Sequence, residues 1–152
     1  MRIDNENEVF VSSGFEEAFT SDDYRDLLVH LINVETKIVA IEINFDDKKT
    51  VLSKKGNDWK IGDKSAKKDR VDFFLNDLKT LKANDILVKE TNFPTVIPTS
   101  ITIKEGAQEK SIDFYLQDEN NYLAKTSVSE FIYQIPAAYV ASLKKEEKDF
   151  VE

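Results

Sequence analysis

Between Ile38 and Leu87 the apolar period of the chain switches from two to about three and a half, and no other feature restricts the fold as much. Val39, Ile41, Ile43 and Phe45 alternate with Ala40, Glu42 and Asn44, the pattern of a strand with one buried face. Asp46-Asp47-Lys48-Lys49 is a polar turn, and Thr50-Val51-Leu52-Ser53 returns at hairpin distance with β-branched residues at its start. Lys55-Gly56-Asn57-Asp58 turns the chain again before Trp59-Lys60-Ile61, which completes a three-stranded meander. Then the period changes. Val71, Phe74, Leu75, Leu78 and Leu81 form one helical stripe with Phe73 on its flank. Ser65 is the expected N-cap, Lys79 and Lys82 lie in the last turn, and Asn84 is the expected left-handed C-cap of a helix of four to five turns. A stripe this wide must cover something, and the adjacent meander is the nearest candidate, with Trp59 between them.

The flanks repeat the strand and helix signals. Val9-Phe10-Val11 is a short strand, Ser13 and Glu16 have capping-box spacing, and Phe15 and Phe19 share a helical face before Ser21-Asp22-Asp23 interrupts. Asn33 caps a single turn over Val34 to Lys37. After the helix, Ile86-Leu87-Val88 is a strand, and the two prolines of Asn92 to Pro98 make that segment a loop or sheet edge. Ile101 to Lys104, Ser111 to Leu116, Tyr122 to Thr126 and Phe131 to Ile135 form a second antiparallel set, turning at Glu105-Gly106-Ala107 and at Asp118 to Asn121. Pro136 opens a last helix carrying Tyr139 and Leu143, and the charged Lys144 to Glu152 is expected to be its solvated end. The expected fold class is α+β: antiparallel β-meanders packed on one central amphipathic helix, with strand-helix pieces at both ends.

Glu130-Phe131-Ile132-Tyr133 echoes Glu8-Val9-Phe10-Val11, and Tyr139, Leu143 and Glu146-Glu147 follow it as Phe15, Phe19 and Asp22-Asp23 follow the earlier strand. The expectation is therefore one α+β domain over 1–152, in which 1–35 is the tail of a preceding repeat unit and 36–152 is a complete one. A chain of 152 residues is long enough for a core without staples.

Composition narrows the function classes. A formal charge of −8 argues against a nucleic-acid partner and against anionic membrane surfaces. The absence of cysteine removes disulfides, thiolate catalysis and cysteine-ligated metals. No run approaches the ~18 apolar residues of a spanning helix, so membrane insertion by this chain is not expected.

No motif assigns catalysis. His30 is the only histidine, which rules out a multi-histidine metal site within one chain, and no carboxylate to orient it is evident. Asp22-Asp23, Asp46-Asp47 and Asp118-Glu119-Asn120-Asn121 are rich in oxygen ligands suited to Ca²⁺, yet they lack EF-hand spacing and fall at turns. Glu16-Glu17 do not face one another on a helix. Gly56, Gly62 and Gly106 are dispersed and make no phosphate loop, while Ser12 and Ser13 before Gly14 lack a nucleophile-elbow frame. Trp59 is expected in the core rather than on a ligand. No catalytic, cofactor-binding or metal residue and no cofactor is expected.

The order of strand-helix tail, Lys37-Ile38-Val39-Ala40-Ile41-Glu42-Ile43, a hairpin ending in Asp58-Trp59-Lys60-Ile61, the helix Val71-Asp72-Phe73-Phe74-Leu75-Asn76-Asp77-Leu78 and paired strands closing on Phe131-Ile132-Tyr133 resembles a bacterial domain-of-unknown-function family. Its members often occur in repeats, are typically tethered by an N-terminal membrane helix, and are associated with ABC-type transport systems, including GldG-like gliding-motility components. The resemblance implies an extracytoplasmic, membrane-tethered setting and a non-catalytic binding or scaffold module of an envelope or transport assembly. The partner would be a protein, docked by strand pairing at a sheet edge. Pairing of Val9 to Val11 with its own copy would give a homodimer. The alternatives are a carboxylate-based hydrolase and a Ca²⁺-dependent adhesion module.

Overall fold

A computed structural model of the chain describes residues 26–33, 35–87, 93 and 99–151. The expectations for Val9 to Val11, Ser13, Glu16, Phe15, Phe19 and Asp22-Asp23, and for all of Asn92 to Pro98 except Phe93, lie outside the described residues, as does one side of the internal echo. Among the described residues a 3-10 turn, Glu35–Lys37, leads into strands β1 (Ile38–Phe45), β2 (Lys48–Lys55), β3 (Asp58–Ile61) and β4 (Lys64–Ser65), then helix α1 (Lys68–Lys79) and strand β5 (Asp85–Leu87). Strands β6 (Thr99–Glu105), β7 (Gln108–Leu116), β8 (Asn121–Thr126) and β9 (Ile132–Pro136) follow, with helices α2 (Ala137–Leu143) and α3 (Glu147–Val151) at the end.

The expected fold class is corrected by the pairing. The nine strands form one antiparallel sheet in the order β4-β3-β2-β1-β6-β7-β8-β9-β5, so the sheet, and not a central helix, organises the chain. The two meanders fuse where β1 pairs with β6, placing Ile41 opposite Ile103 and Ile43 opposite Ile101. The physical reason lies in β1, which has an apolar face and two edges. Separate sheets would leave one edge of β1 and one of β6 without partners, and joining them satisfies both rows of backbone groups.

The β1–β6 ladder contains one irregularity. Ile38 pairs with Glu105 but Ala40 with Lys104, so β1 carries one extra residue, Val39. Strict alternation would turn Val39 inward. The bulge instead exposes it and buries Ile38 completely. The turn after β1 is tighter than the four polar residues suggest. Asp46 and Asp47 alone make it, with φ of 47° and 62°, the both-positive combination of a type I′ hairpin.

Helix α1 is shorter than the stripe implies, with 12 residues. Ser65 belongs to β4, and the N-cap position falls on Lys67, which supplies no side-chain cap. Its backbone N–H instead donates to the Phe150 carbonyl at 2.8 Å. Thr80 ends the helix, its hydroxyl donating to the Asn76 carbonyl at 2.8 Å, while the Asn84 N–H donates to Gln134 in β9. Val71, Phe74, Leu75 and Leu78 are buried, as the stripe requires, and Leu81 is buried just beyond the helix.

The apolar sheet face carries Ile41, Ile43, Leu52, Trp59, Ile101, Ile103, Ile112 and Phe114, and joins α1, Val140, Leu143 and Phe150 in one core. Val29, Leu31 and Ile32, from the stretch before the 3-10 turn, belong to the same core. The expectation for Lys144 to Glu152 is also corrected. Phe150 is only 1% exposed and meets Phe74 edge to face at 5.7 Å between ring centroids. Lys48 to Glu146 and Lys64 to Glu147, each at 2.6 Å, tie that segment to the first meander.

Candidate functional site

The oxygen-rich clusters that could suggest a cation serve turns. Asp118 accepts from the backbone N–H groups of Asn120 at 2.8 Å and Asn121 at 2.9 Å, and the Asn120 bond above all holds its carboxyl below the usual range. Asp46 lies 3.8 Å from Lys144 within the hairpin turn. Gly56, Gly62 and Gly106 occupy three separate turns. Trp59 is buried as expected, with the Lys54 ammonium 5.8 Å from its ring centroid. Ser12, Ser13, Glu16-Glu17 and Asp22-Asp23 lie outside the described residues.

His30 has the carboxylate that the sequence does not reveal. Residues 27–29 run alongside 81–83: the Val29 N–H donates to Leu81 at 3.1 Å, the Ala83 N–H to Leu27 at 2.8 Å, and Leu28 bridges Lys82. These bonds anchor the segment beside the end of α1. His30 follows with φ of 52°, in the left-handed region, which is uncommon for residues other than glycine but in which histidine is enriched. The turn carries its imidazole back onto Asp26, Nε2 to Oδ2 at 2.5 Å. The other Asp26 oxygen accepts from the Leu28 N–H at 3.0 Å. The His30 bond, then the Leu28 bond, hold the Asp26 carboxyl below the usual carboxylate range. Spacing of four between Asp26 and His30 is the only trace of this pair in the sequence, and it arises here from a left-handed turn, where a helix would normally be inferred.

The pair borders an open cleft of about 400 Å³ whose opposite wall is the β8–β9 connection. Leu28, Val128 and Phe131 all line it and are 36%, 43% and 58% exposed, so three of the large exposed apolar side chains share one depression. Ser129, which also lines it, accepts from the Phe131 N–H at 3.1 Å and from the Tyr133 hydroxyl at 3.2 Å. Those bonds fix the wall and leave the serine oxygen engaged as an acceptor. Chemically, the cleft offers an apolar surface with one polar corner, suited to an apolar side chain that carries a hydrogen-bonding neighbour.

On the opposite sheet face, Asp113 is the carboxyl pushed up by burial, partly offset by Lys125 across the strand pair. Phe93 covers this place, its ring tilted by 57° against that of Tyr115 at 4.8 Å between centroids and 5.8 Å from the Lys125 ammonium. At the β4 edge, two residues long, Lys64 is engaged by Glu147. Among the described residues no group of three or more histidine, aspartate or glutamate side chains is arranged to hold a metal ion, and no helix is long and apolar enough to cross a membrane.

Comparison of the chain with protein-family models, with curated proteins and with solved structures gave no match.

Proposed function

We propose that the chain is a non-catalytic binding or scaffold module that docks a protein partner of an envelope or ABC-transport-associated assembly, extracytoplasmic and membrane-tethered in its native setting. The observation that carries the binding role is the convergence of Leu28, Val128 and Phe131 on one cleft beside the Asp26–His30 pair. Exposed apolar side chains scattered singly need no explanation, whereas a cluster with a polar rim is the usual form of a docking surface. The setting rests on the family resemblance, a warrant by analogy. The hydrolase and Ca²⁺ alternatives have weaker support, because the Asp118 carboxylate is engaged in its own turn and Asp113 faces a lysine where a second carboxylate would be needed.

The test is site-specific photocrosslinking from position 131 in the native organism. The expected products join this protein to a subunit of an envelope or transport complex, and Val128→Ser with Leu28→Ser should abolish them while leaving the fold intact. Absence of any product from position 131, with full function retained in Phe131→Ser, would overturn the reading.

A further inference from the structure

Helix α1 presents a second stripe on its outer side, chemically unlike the buried one. Arg70, Phe73 and Asp77 recur at intervals of three and four, which sets them in one row over two turns. Phe73 is 68% exposed, the most exposed of the large hydrophobics described. Tyr139 of α2, 53% exposed, stands across a cleft of about 370 Å³ that also borders Asp77. A smaller cleft of about 140 Å³ runs from Arg70 past Phe73 and Phe74 to Lys145 and Asp149. Elsewhere on the same helix Lys68 pairs with Asp72 at 2.8 Å and Lys79 with Glu35 at 3.2 Å, and Asp69 forms no ion pair among the described residues. Among the described residues Arg70 and Asp77 form no ion pair.

We propose that this face joins two copies of the chain about a two-fold axis, with the two α1 helices antiparallel and Phe73 at the centre. The row is symmetric about such an axis. In an antiparallel pair each residue faces the one at equal distance beyond the axis, and an axis between Phe73 and Phe74 sets Arg70 of each copy opposite Asp77 of the other. Those two positions lie about 10 Å apart along the helix, so both ion pairs form together on either side of an aromatic centre. Such a surface is complementary to itself. Charge also selects it: with a net charge of −8, two copies repel one another over most of their surface. Here each arginine is matched by an aspartate. Arginine and exposed aromatic side chains are the residue types enriched at the centres of protein interfaces. The face uses elements other than the His30 cleft, so a dimer built on it leaves that cleft open.

The test is sedimentation of the purified chain from micromolar to near-millimolar concentration, with three variants. Wild type is expected to dimerise reversibly, and Phe73→Ser to sediment as a monomer throughout. Arg70→Asp and Asp77→Arg, each alone, put like charges in both contacts and should weaken association at least tenfold. Mixed in equal amounts, these two chains have opposite charges at every contact and should recover a heterodimer. Loss of association would not come from an unravelled helix, because an aspartate in the first turn and an arginine in the last turn both favour the helix dipole. A wild type that stays monomeric over the whole range overturns the proposal. So does a dimer indifferent to Phe73→Ser, or a mixture of the charge variants that fails to associate.

Discussion

The two halves of the sheet solve the same problem differently. The first meander, β4-β3-β2-β1, presents an almost wholly apolar inner face, Ile41, Ile43, Leu52, Trp59 and Ile61, and turns on two-residue hairpins. Its cover is α1, which follows β4 directly, and α3, which arrives from far along the chain with ion pairs at the rim. In the second, β6 to β9 with β5, polar groups are buried inside the sheet. Lys110 and Glu105, both 7% exposed, form an ion pair on the same face as Ile103 and Ile112. Thr126, directly opposite Ile112, keeps a buried hydroxyl without a hydrogen-bond partner among the described residues. The first half therefore depends on its helical cover, part of it remote in the chain, and the second on internal polar pairing. The first should yield to loss of packing and the second to loss of a partner.

Removing the distant cover should have the largest effect. Phe150→Ala deletes a fully buried ring on Phe74 and is expected to cost about 3–5 kcal/mol in urea unfolding. A cost under about 1 kcal/mol would mean that α3 does not hold the first meander. In the second meander, Lys110→Ala removes the ammonium paired with a buried carboxylate and should cost about 3–5 kcal/mol, while Glu105→Leu combined with Lys110→Met should cost far less. If the double variant were as damaging as the single one, packing rather than charge would dominate there as well.

Smaller effects sharpen the same contrast. Thr126→Val removes the unpartnered hydroxyl and should raise stability by about 1 kcal/mol, a gain that no position on the apolar face of the first meander offers. Asp47→Gly relieves a left-handed turn residue and should add about 0.5–1 kcal/mol, read as a higher denaturation midpoint. The smallest effect is a pH dependence. Burial raises the folded-state pKa of Asp113, so the folded protein holds that proton more tightly than the unfolded chain does. Its stabilising contribution is complete below the unfolded pKa and is lost as pH rises through the folded value. Asp113→Asn removes that loss. The variant should gain on wild type between acid and neutral pH, and a constant offset over that window would show that desolvation is not the cause.

Much of the local structure is legible in the sequence for physical reasons that act over a few residues. Alternation along Ile41 to Phe45, the glycine turns and the stripe from Val71 to Leu78 place strands and helix close to where they occur. The candidate site was barely legible. His30 stood out only as the sole histidine, and its partner Asp26 is brought to it by a left-handed turn that no periodicity encodes. Leu28 lies about 100 residues from Val128 and Phe131 in the chain, and a shared cleft between segments so far apart leaves no local pattern.

By itself the sequence determined the elements, the acidic surface and the absence of cysteine chemistry, because each follows from side-chain type and near-neighbour spacing. Only the tertiary structure decided that the meanders fuse through β1 and β6, that Val39 bulges outward, and that the charged tail closes over Phe74 through Phe150. Each of those outcomes is a choice among partners remote in the chain. It is settled by which pairing leaves the fewest backbone groups and apolar faces uncovered, a property of the whole molecule that no window of sequence contains.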